Sequence, residues 1–308
     1  MVAMTTSGAA LQLRTPVPVG VRALGWLAAA GTLPYLVLKL LWLSGSTIGV
    51  REPAFLSDPV IVVANAVTFA MDLLVIGLVF ALTSRWGERL PAWLVLLPVW
   101  VGTGFLVPMV VSVLPATVVE VLSGTPAPEV FEPWLQPLVY GGFAWQGVFL
   151  MAAFGAHVVR RWSGVVAAAS PLPPALVPLL RVIVAGGCVM AGCSAVLHLV
   201  TGLGTGSVVT LGVEAVNAAL AVAGAAGVVV LARSRPTSRW AATAAAWTGT
   251  AAMFAWGLYT VVIAMTASSY AGGSPAAGAA QVTGLLGGFA LAVAGMLALV
   301  GSGEHRRG

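Results

Sequence analysis

Charge is what this sequence has least of. Only 7% of its 308 residues are Asp, Glu, Lys or Arg and 59% are hydrophobic, whereas soluble domains carry roughly a quarter charged residues. That balance excludes a water-soluble globule and leaves an integral membrane protein, with the lipid bilayer as its first partner. Cysteine is nearly missing as well. Cys188 and Cys193 lie five residues apart in one apolar stretch, which satisfies neither a disulfide framework nor a metal-ligand spacing, so no metal is expected. The chain has no HExxH, no paired-acid motif for a diphosphate with Mg²⁺, no phosphate-cradling glycine loop and no convincing nucleophile triad. These gaps count against the large known enzyme classes and leave open whether the protein is an enzyme at all. His157 and His198 fall near opposite ends of their apolar runs, which excludes joint ligation of one haem, and no cofactor is expected. The formal charge of +5 sits on arginines scattered through short loops, not on a basic stripe, which excludes nucleic acid as a partner.

What the sequence does have is apolar length. Runs near 22–44, 59–83, 92–118, 138–159, 180–203, 208–232, 240–267 and 280–301 each reach the roughly 20 residues a bilayer requires. The fold expected is therefore all-α, a polytopic bundle of eight transmembrane helices. Arg14, Arg22, Arg85, Arg89, Arg160, Arg161, Arg181, Arg233, Arg235, Arg239, Arg306 and Arg307 then fall on one side and only Arg51 on the other, so both termini are expected in the cytoplasm and the protein in the cell membrane. The first twenty residues precede an apolar run longer than a signal-peptide core, and residues 1–21 read as an uncleaved cytoplasmic tail. The second outer loop, with Pro126, Pro128, Pro133, Pro137 and Trp134, is stiff enough to lie across the outer face.

The chain also repeats itself. Arg22 to Lys39 and Arg181 to His198 span the same distance, and Leu38-Lys39-Leu40 matches Leu197-His198-Leu199. Trp93 and Trp100-Val-Gly-Thr103 match Trp240 and Trp247-Thr-Gly-Thr250, Thr125-Pro-Ala127 resembles Ser274-Pro-Ala276, Gly141-Gly-Phe-Ala144 recurs as Gly287-Gly-Phe-Ala290, and Arg160-Arg161 falls on Arg306-Arg307. Ordered matches of this kind predict a 4+4 tandem repeat. An even number of spans per unit makes the two units parallel, related by an axis along the membrane normal. The domain limits follow: a first repeat over 22–161, a Pro-rich cytoplasmic linker over 162–179, a second repeat over 180–303 and a short cytoplasmic tail over 304–308. The first repeat carries Pro34, Pro98, Pro108 and Pro115 inside its spans. The second is rich in Ala and Gly, with a GxxxG at Gly284 and Gly288 and a small-residue row at Ala215, Ala219 and Ala223. Such helices pack closely, either within the bundle or as the contact of a homo-oligomer.

Ionisable side chains inside a span cost about 2.5–3.5 kcal/mol each on insertion scales, so the few present mark a site or a structural pair. Lys39, Asp72, His198 and Glu214 fall at depths that would let them share one cavity. Asn65 and Asp72 are seven residues apart and lie on one helix face, as do Glu214 and Asn217 at a separation of three. Tyr35 and Trp42 share the face of Lys39, while Ser194 and Thr201 hold the matching positions around His198. His157, one turn from Arg160, reads as interfacial, and Glu120 as a rim residue. Two readings of the polar set stay open. In one, Lys39 and an acid form a buried ion pair that only fixes helix register. In the other, Lys39, Asp72, His198, Glu214, Asn65, Asn217, Tyr35 and Trp42 form a substrate-binding or proton-coupling site between the repeats, with His198 as the titrating group. The expected function is then a transporter or permease-like binder of a small polar or anionic solute. The alternatives are a membrane-embedded enzyme acting on a lipid or isoprenoid by acid-base chemistry, and a structural or sensory membrane subunit.

Overall fold

The structure, a computed structural model, describes residues 17–124, 129–167, 173–233, 239–265 and 274–300. Arg14, Arg235, Arg306, Arg307, Pro126, Pro128, Pro171, the Thr125–Ala127 match and the greater part of both tails lie outside the described residues. Ten α-helices run in order: α1 (Val19–Leu43), α2 (Pro53–Ser57), α3 (Pro59–Thr83), α4 (Ala92–Pro108), α5 (Leu114–Leu122), α6 (Leu135–Ala167), α7 (Val177–Gly204), α8 (Val208–Ala232), α9 (Arg239–Met265) and α10 (Pro275–Val300). A π-helical turn over Met109–Val113 joins α4 and α5 into one span. Among the described residues eight spans result, each long and apolar enough to cross a membrane, as the apolar runs predict. Large apolar side chains such as Trp26, Leu40, Phe80, Leu97, Val182 and Val222 point outward from these helices. Water would penalise so continuous an apolar surface and lipid would not, which is the pattern of a multi-pass membrane protein.

Local chemistry sets the helix ends. α1 stops where Gly45 takes φ +95°, with Gly45 N–H donating to the Trp42 carbonyl (3.0 Å) and Ser46 N–H to the Leu41 carbonyl (2.9 Å). These two bonds are those of a Schellman cap, which a residue with a Cβ would strain. Asp58 starts α3 by accepting from Val60 N–H at 2.8 Å, with Pro59 in the first helical position. Ser207 starts α8 by accepting from Thr210 N–H at 3.2 Å. α6 runs to Ala167, well into the segment expected as linker, because no proline interrupts it and two arginines tie it down. Arg160 pairs with Glu88, and Arg161 donates to the carbonyls of Gly87 (3.0 Å) and Leu90 (2.7 Å). Of the expected linker only 173–176 is described as non-α chain, and Pro174–Leu176 form a 3₁₀ turn there.

The helices fall into two groups. α7, α8, α9 and α10 form a closed ring in which each packs along both neighbours. Glycine lets their backbones touch: a Cβ on Gly249 would stand 2.2 Å from the Leu220 carbonyl oxygen and 2.5 Å from Gly224 Cα. Gly284 and Gly288 are spent the same way, inside the bundle against Ser194 and Thr250. The other group is looser: α1 packs on α3 and α6, whereas α3 and α4 barely meet. The groups join along α4 and α9. At that seam Trp100 Nε1 donates to Thr250 Oγ1 (3.2 Å) and Trp247 Nε1 donates to Thr103 Oγ1 (3.0 Å). A Cβ on Gly104 would lie 2.1 Å from the Ala251 carbonyl oxygen, so the two helices meet with no side chain between them.

We call the side on which α1 begins the near face and the opposite side the far face. On the far face, segment 44–58 and the described part of 123–134 are zipped together. Val50 and Phe131 form an isolated antiparallel bridge, Arg51 N–H donates to the Val130 carbonyl and Glu132 N–H to the Gly49 carbonyl, both at 2.9 Å. Phe55 meets Phe131 edge to face. Arg51 is bonded to both carboxylate oxygens of Glu132 (3.1 and 3.2 Å). Those bonds and that charge raise the Arg51 pKa further above its already high ordinary value. Trp134 lies over Gly49. The aromatic part of the second outer loop thus covers the first helix group.

Candidate functional site

Lys39 reaches inward from the last turn but one of α1, and its side chain is 1% exposed. Its Nζ donates to Asp72 Oδ2 on α3 at 2.7 Å. The ring of Tyr35, one turn earlier on α1, lies 3.7 Å from the same nitrogen, and Trp42 meets Tyr35 edge to face. Ammonium, carboxylate and aromatic face together replace the water that the cation has lost. Lys39 is also the only lysine in the sequence, against 13 arginines. Arginine cannot shed its proton in a protein and lysine can. That count is a signal that spacing and periodicity do not report.

His198 on α7 makes the corresponding contact in the second group, its Nδ1 standing 2.5 Å from Glu214 Oε2 on α8. The approach needs Gly202, where a Cβ would sit 3.1 Å from Glu214 Cβ. The polar set therefore closes as two pairs, Lys39 with Asp72 and His198 with Glu214, each within its own helix group. Lys39 and His198 do not face each other across one pocket, because α1 has α3 and α6 as its main packing partners and α7 has α8 and α10. The helices that would have had to meet are held apart by their neighbours.

Each pair has a cavity beside it. In the first group a cavity of about 240 Å³ opens beneath the far-face loops, and its walls include Tyr35, Trp42, Asn65, Gln136, Tyr140 and Phe143, with Phe55 and Phe131 from the roof. Among the described residues no Asp, Glu, Lys or Arg lines it. Trp42 Nε1 is already committed to the Ile48 carbonyl at 2.9 Å. The other polar groups on the wall are the amides of Asn65 and Gln136 and the phenols of Tyr35 and Tyr140, of which Tyr35 has Thr68, and Tyr140 has Gln136, as a side-chain hydrogen-bond partner. In the second group Ser194, His198, Asn217, Trp256, Gln281 and Gly284 help to line a chamber of about 10 Å³. Asn65 and Asn217 thus each line a cavity, while Thr201 bonds only to the Leu197 carbonyl of its own helix.

His157 is buried within the protein, at 1% exposed. Its Nδ1 stands 3.4 Å from the Leu82 carbonyl, its Nε2 has no partner, and its ring meets Trp162 edge to face. The signal was in the spacing. Gln146, Leu150, Ala153, Phe154 and His157 form one buried stripe of α6 at three- and four-residue steps. Glu120 is exposed at the far end of α5, as its rim reading predicts. Among the described residues no group of three or more His, Cys, Asp or Glu is placed to hold a metal. No protein-family model, no curated protein and no solved structure matches the chain.

Proposed function

We propose that this multi-pass membrane protein is a permease-like binder of a small, neutral, partly aromatic or aliphatic solute, held in the 240 Å³ cavity of the first helix group. The observation that carries this reading is the state of Lys39. Its charge is spent on Asp72 and screened from the cavity by Tyr35, so the wall next to the site offers amides, phenols and rings but no free cation. An anionic solute would enter without a counter-charge, whereas a neutral one gains apolar contact and a few hydrogen bonds. The volume lies below the about 300–1,000 Å³ of drug-sized sites, which limits the solute to a small molecule.

The same reading takes the two helix groups as parallel repeats with both termini in the cytoplasm of a cell-membrane protein. The reciprocal Trp-to-Thr bonds between Trp100-x-x-Thr103 and Trp247-x-x-Thr250 support the repeat, since a two-fold relation makes each partner both donor and acceptor. Arg22, Arg85, Arg89, Arg160, Arg161, Arg181, Arg233 and Arg239 occur at near-face ends of the helices, and this bias supports the orientation.

The test is a thermal-shift screen of the purified protein against matched neutral, carboxylate and phosphate forms of small amphiphiles, followed by flux of any ligand in proteoliposomes. Neutral forms are expected to raise the midpoint of wild type and to lose that effect in Asn65→Leu and Gln136→Leu. Stabilisation by the anionic forms alone would overturn the neutral-solute reading. If no ligand stabilises wild type and a Lys39→Met/Asp72→Leu double variant is as stable as wild type, the pair is a device of helix register and the solute reading is dropped.

A further inference from the structure

The cavity of the first helix group has walls and a roof of unequal strength. Its walls belong to α1, α3 and α6, each a membrane span, and include Tyr35, Asn65 and Tyr140. Its roof is chain that spans nothing. Val50 and, from α2, Phe55 and Leu56 line the cavity from above together with Phe131, yet none of the five residues of α2 is buried. α2 packs chiefly on α3.

What holds this chain down is narrow. Up to residue 48 it is tied to α1, through the bond from Trp42 Nε1 to the Ile48 carbonyl at 2.9 Å. Gly49 then takes φ +79°, a conformation that favours glycine. Beyond it Val50 stands opposite Phe131, flanked on one side by the bond from Arg51 N–H to the Val130 carbonyl and on the other by that from Glu132 N–H to the Gly49 carbonyl. The pairing is the non-hydrogen-bonded kind, which brings facing side chains closest, but it is a single isolated bridge. Arg51 and Glu132 close it from outside, at 47% and 41% side-chain exposure. The two sides of the pairing are anchored differently. Residues 129–134 lead straight into α6, whose first residue, Leu135, is buried, whereas 50–57 run on to Asp58, where extended backbone turns the chain into α3.

Two backbone bonds, one edge-to-face ring contact and an exposed ion pair part more readily than packed spans do. We infer that residues 50–57 are a lid on the cavity, hinged at Gly49 and Asp58 and latched to 129–134 by Arg51 and Glu132, and that the solute enters and leaves from the far face when the latch parts. The inference rests on the solute reading above and adds the route to its site. Opening turns the chain at Gly49 and Asp58 and lifts Phe55 and Leu56 off the cavity. It leaves every span and the Lys39–Asp72 pair in place, so the site is uncovered without unfolding.

The test reads opening without any solute. In the full chain in detergent, with Cys188→Ala and Cys193→Ala, the reporter Asn65→Cys is placed on the cavity wall, where Asn65 is 9% exposed, and its labelling by methyl methanethiosulfonate is timed by intact mass. The thiol is expected to react far more slowly than in the unfolded chain. Adding Arg51→Glu sets two carboxylates face to face and should speed labelling at least about threefold, and Arg51→Glu/Glu132→Arg should return it to the parent rate. Salt at about 1 M should speed the parent by up to about fivefold and leave Arg51→Gln/Glu132→Gln unchanged, because the latch is exposed and screened. The thermal midpoint is expected to stay the same throughout, which marks the opening as local. Labelling that ignores Arg51→Glu, or that the exchanged pair does not slow again, overturns the lid even where the thermal-shift screen finds a ligand. Labelling that follows the latch upholds the lid, and the solute reading is then decided by the screen alone.

Discussion

Lys39 with Asp72 and His198 with Glu214 meet the same need, an ionisable group inside an apolar helix pair, in opposite ways. The first pair is sealed, electrically closed and set beside a cavity large enough for a solute. The second keeps its acid at 19% side-chain exposure and stands beside a chamber of water size. The surroundings differ to match. Prolines and bulky side chains hold the first group open, with Pro98 and Pro108 in α4 and the π turn after it, while helix-to-helix backbone contact closes the second. A loose group can accommodate a guest and needs a charge pair that does not change. A closely packed group leaves no more than a water-sized space beside its pair. Two ionisable pairs in one apolar bundle thus take their surroundings from how closely their own helices pack.

The comparison breaks most visibly at Lys39. Lys39→Met strands a buried carboxylate and should cost about 3–5 kcal/mol in detergent unfolding, while Lys39→Met/Asp72→Leu should recover most of that loss. Equal stability of the single and double variants would show that the pair is not closed. Packing comes next. Gly249→Ala forces a Cβ against the Leu220 carbonyl and should cost about 1–3 kcal/mol, whereas Gly77→Ala in α3 meets nothing within 4 Å and should gain up to about 1 kcal/mol from helix propensity. Similar losses at both sites would erase the distinction between open and closed groups. His198→Gln leaves Glu214 partly hydrated, and the expected cost is smaller than at Lys39, about 1–2 kcal/mol by the same unfolding assay. At the seam, Trp100→Phe and Trp247→Phe each remove one indole donor and should lower stability by about 1 kcal/mol, alike within error. A large inequality there would argue against two-fold equivalence. Smallest of all is Arg51→Gln, an exposed pair for which no shift in thermal midpoint is expected at physiological salt.

Much of this was legible beforehand. Spans follow from apolar length because a membrane leaves little alternative, and the observed helices begin and end within a few residues of expectation except at α6. There, arginines that read as a helix boundary turned out to be tethered to Glu88 and to the carbonyls of Gly87 and Leu90, which carries the helix onward. Spacing also put Tyr35 beside Lys39 and Asn65 beside Asp72. It could not decide which acid the lysine meets, because that depends on which helices are neighbours, and a helical period describes one helix at a time. The unpartnered Trp256 indole was hidden for a different reason: it lines the chamber from a neighbouring helix and carries no charge to draw attention. Likewise, the roof made by Phe55, Phe131 and Trp134 depends on loop pairing through two backbone bonds, which proline content alone does not specify.

The single lysine has a practical corollary. Its amine is 1% accessible and held by a carboxylate, so amine-selective reagents have only the chain's α-amino group to react with while the protein is folded. Modification of Lys39 would then record openings that part α1 from its packing partners and free the amine from Asp72. The chain carries its own single-site chemical clock for that opening, readable by mass spectrometry without any engineered label.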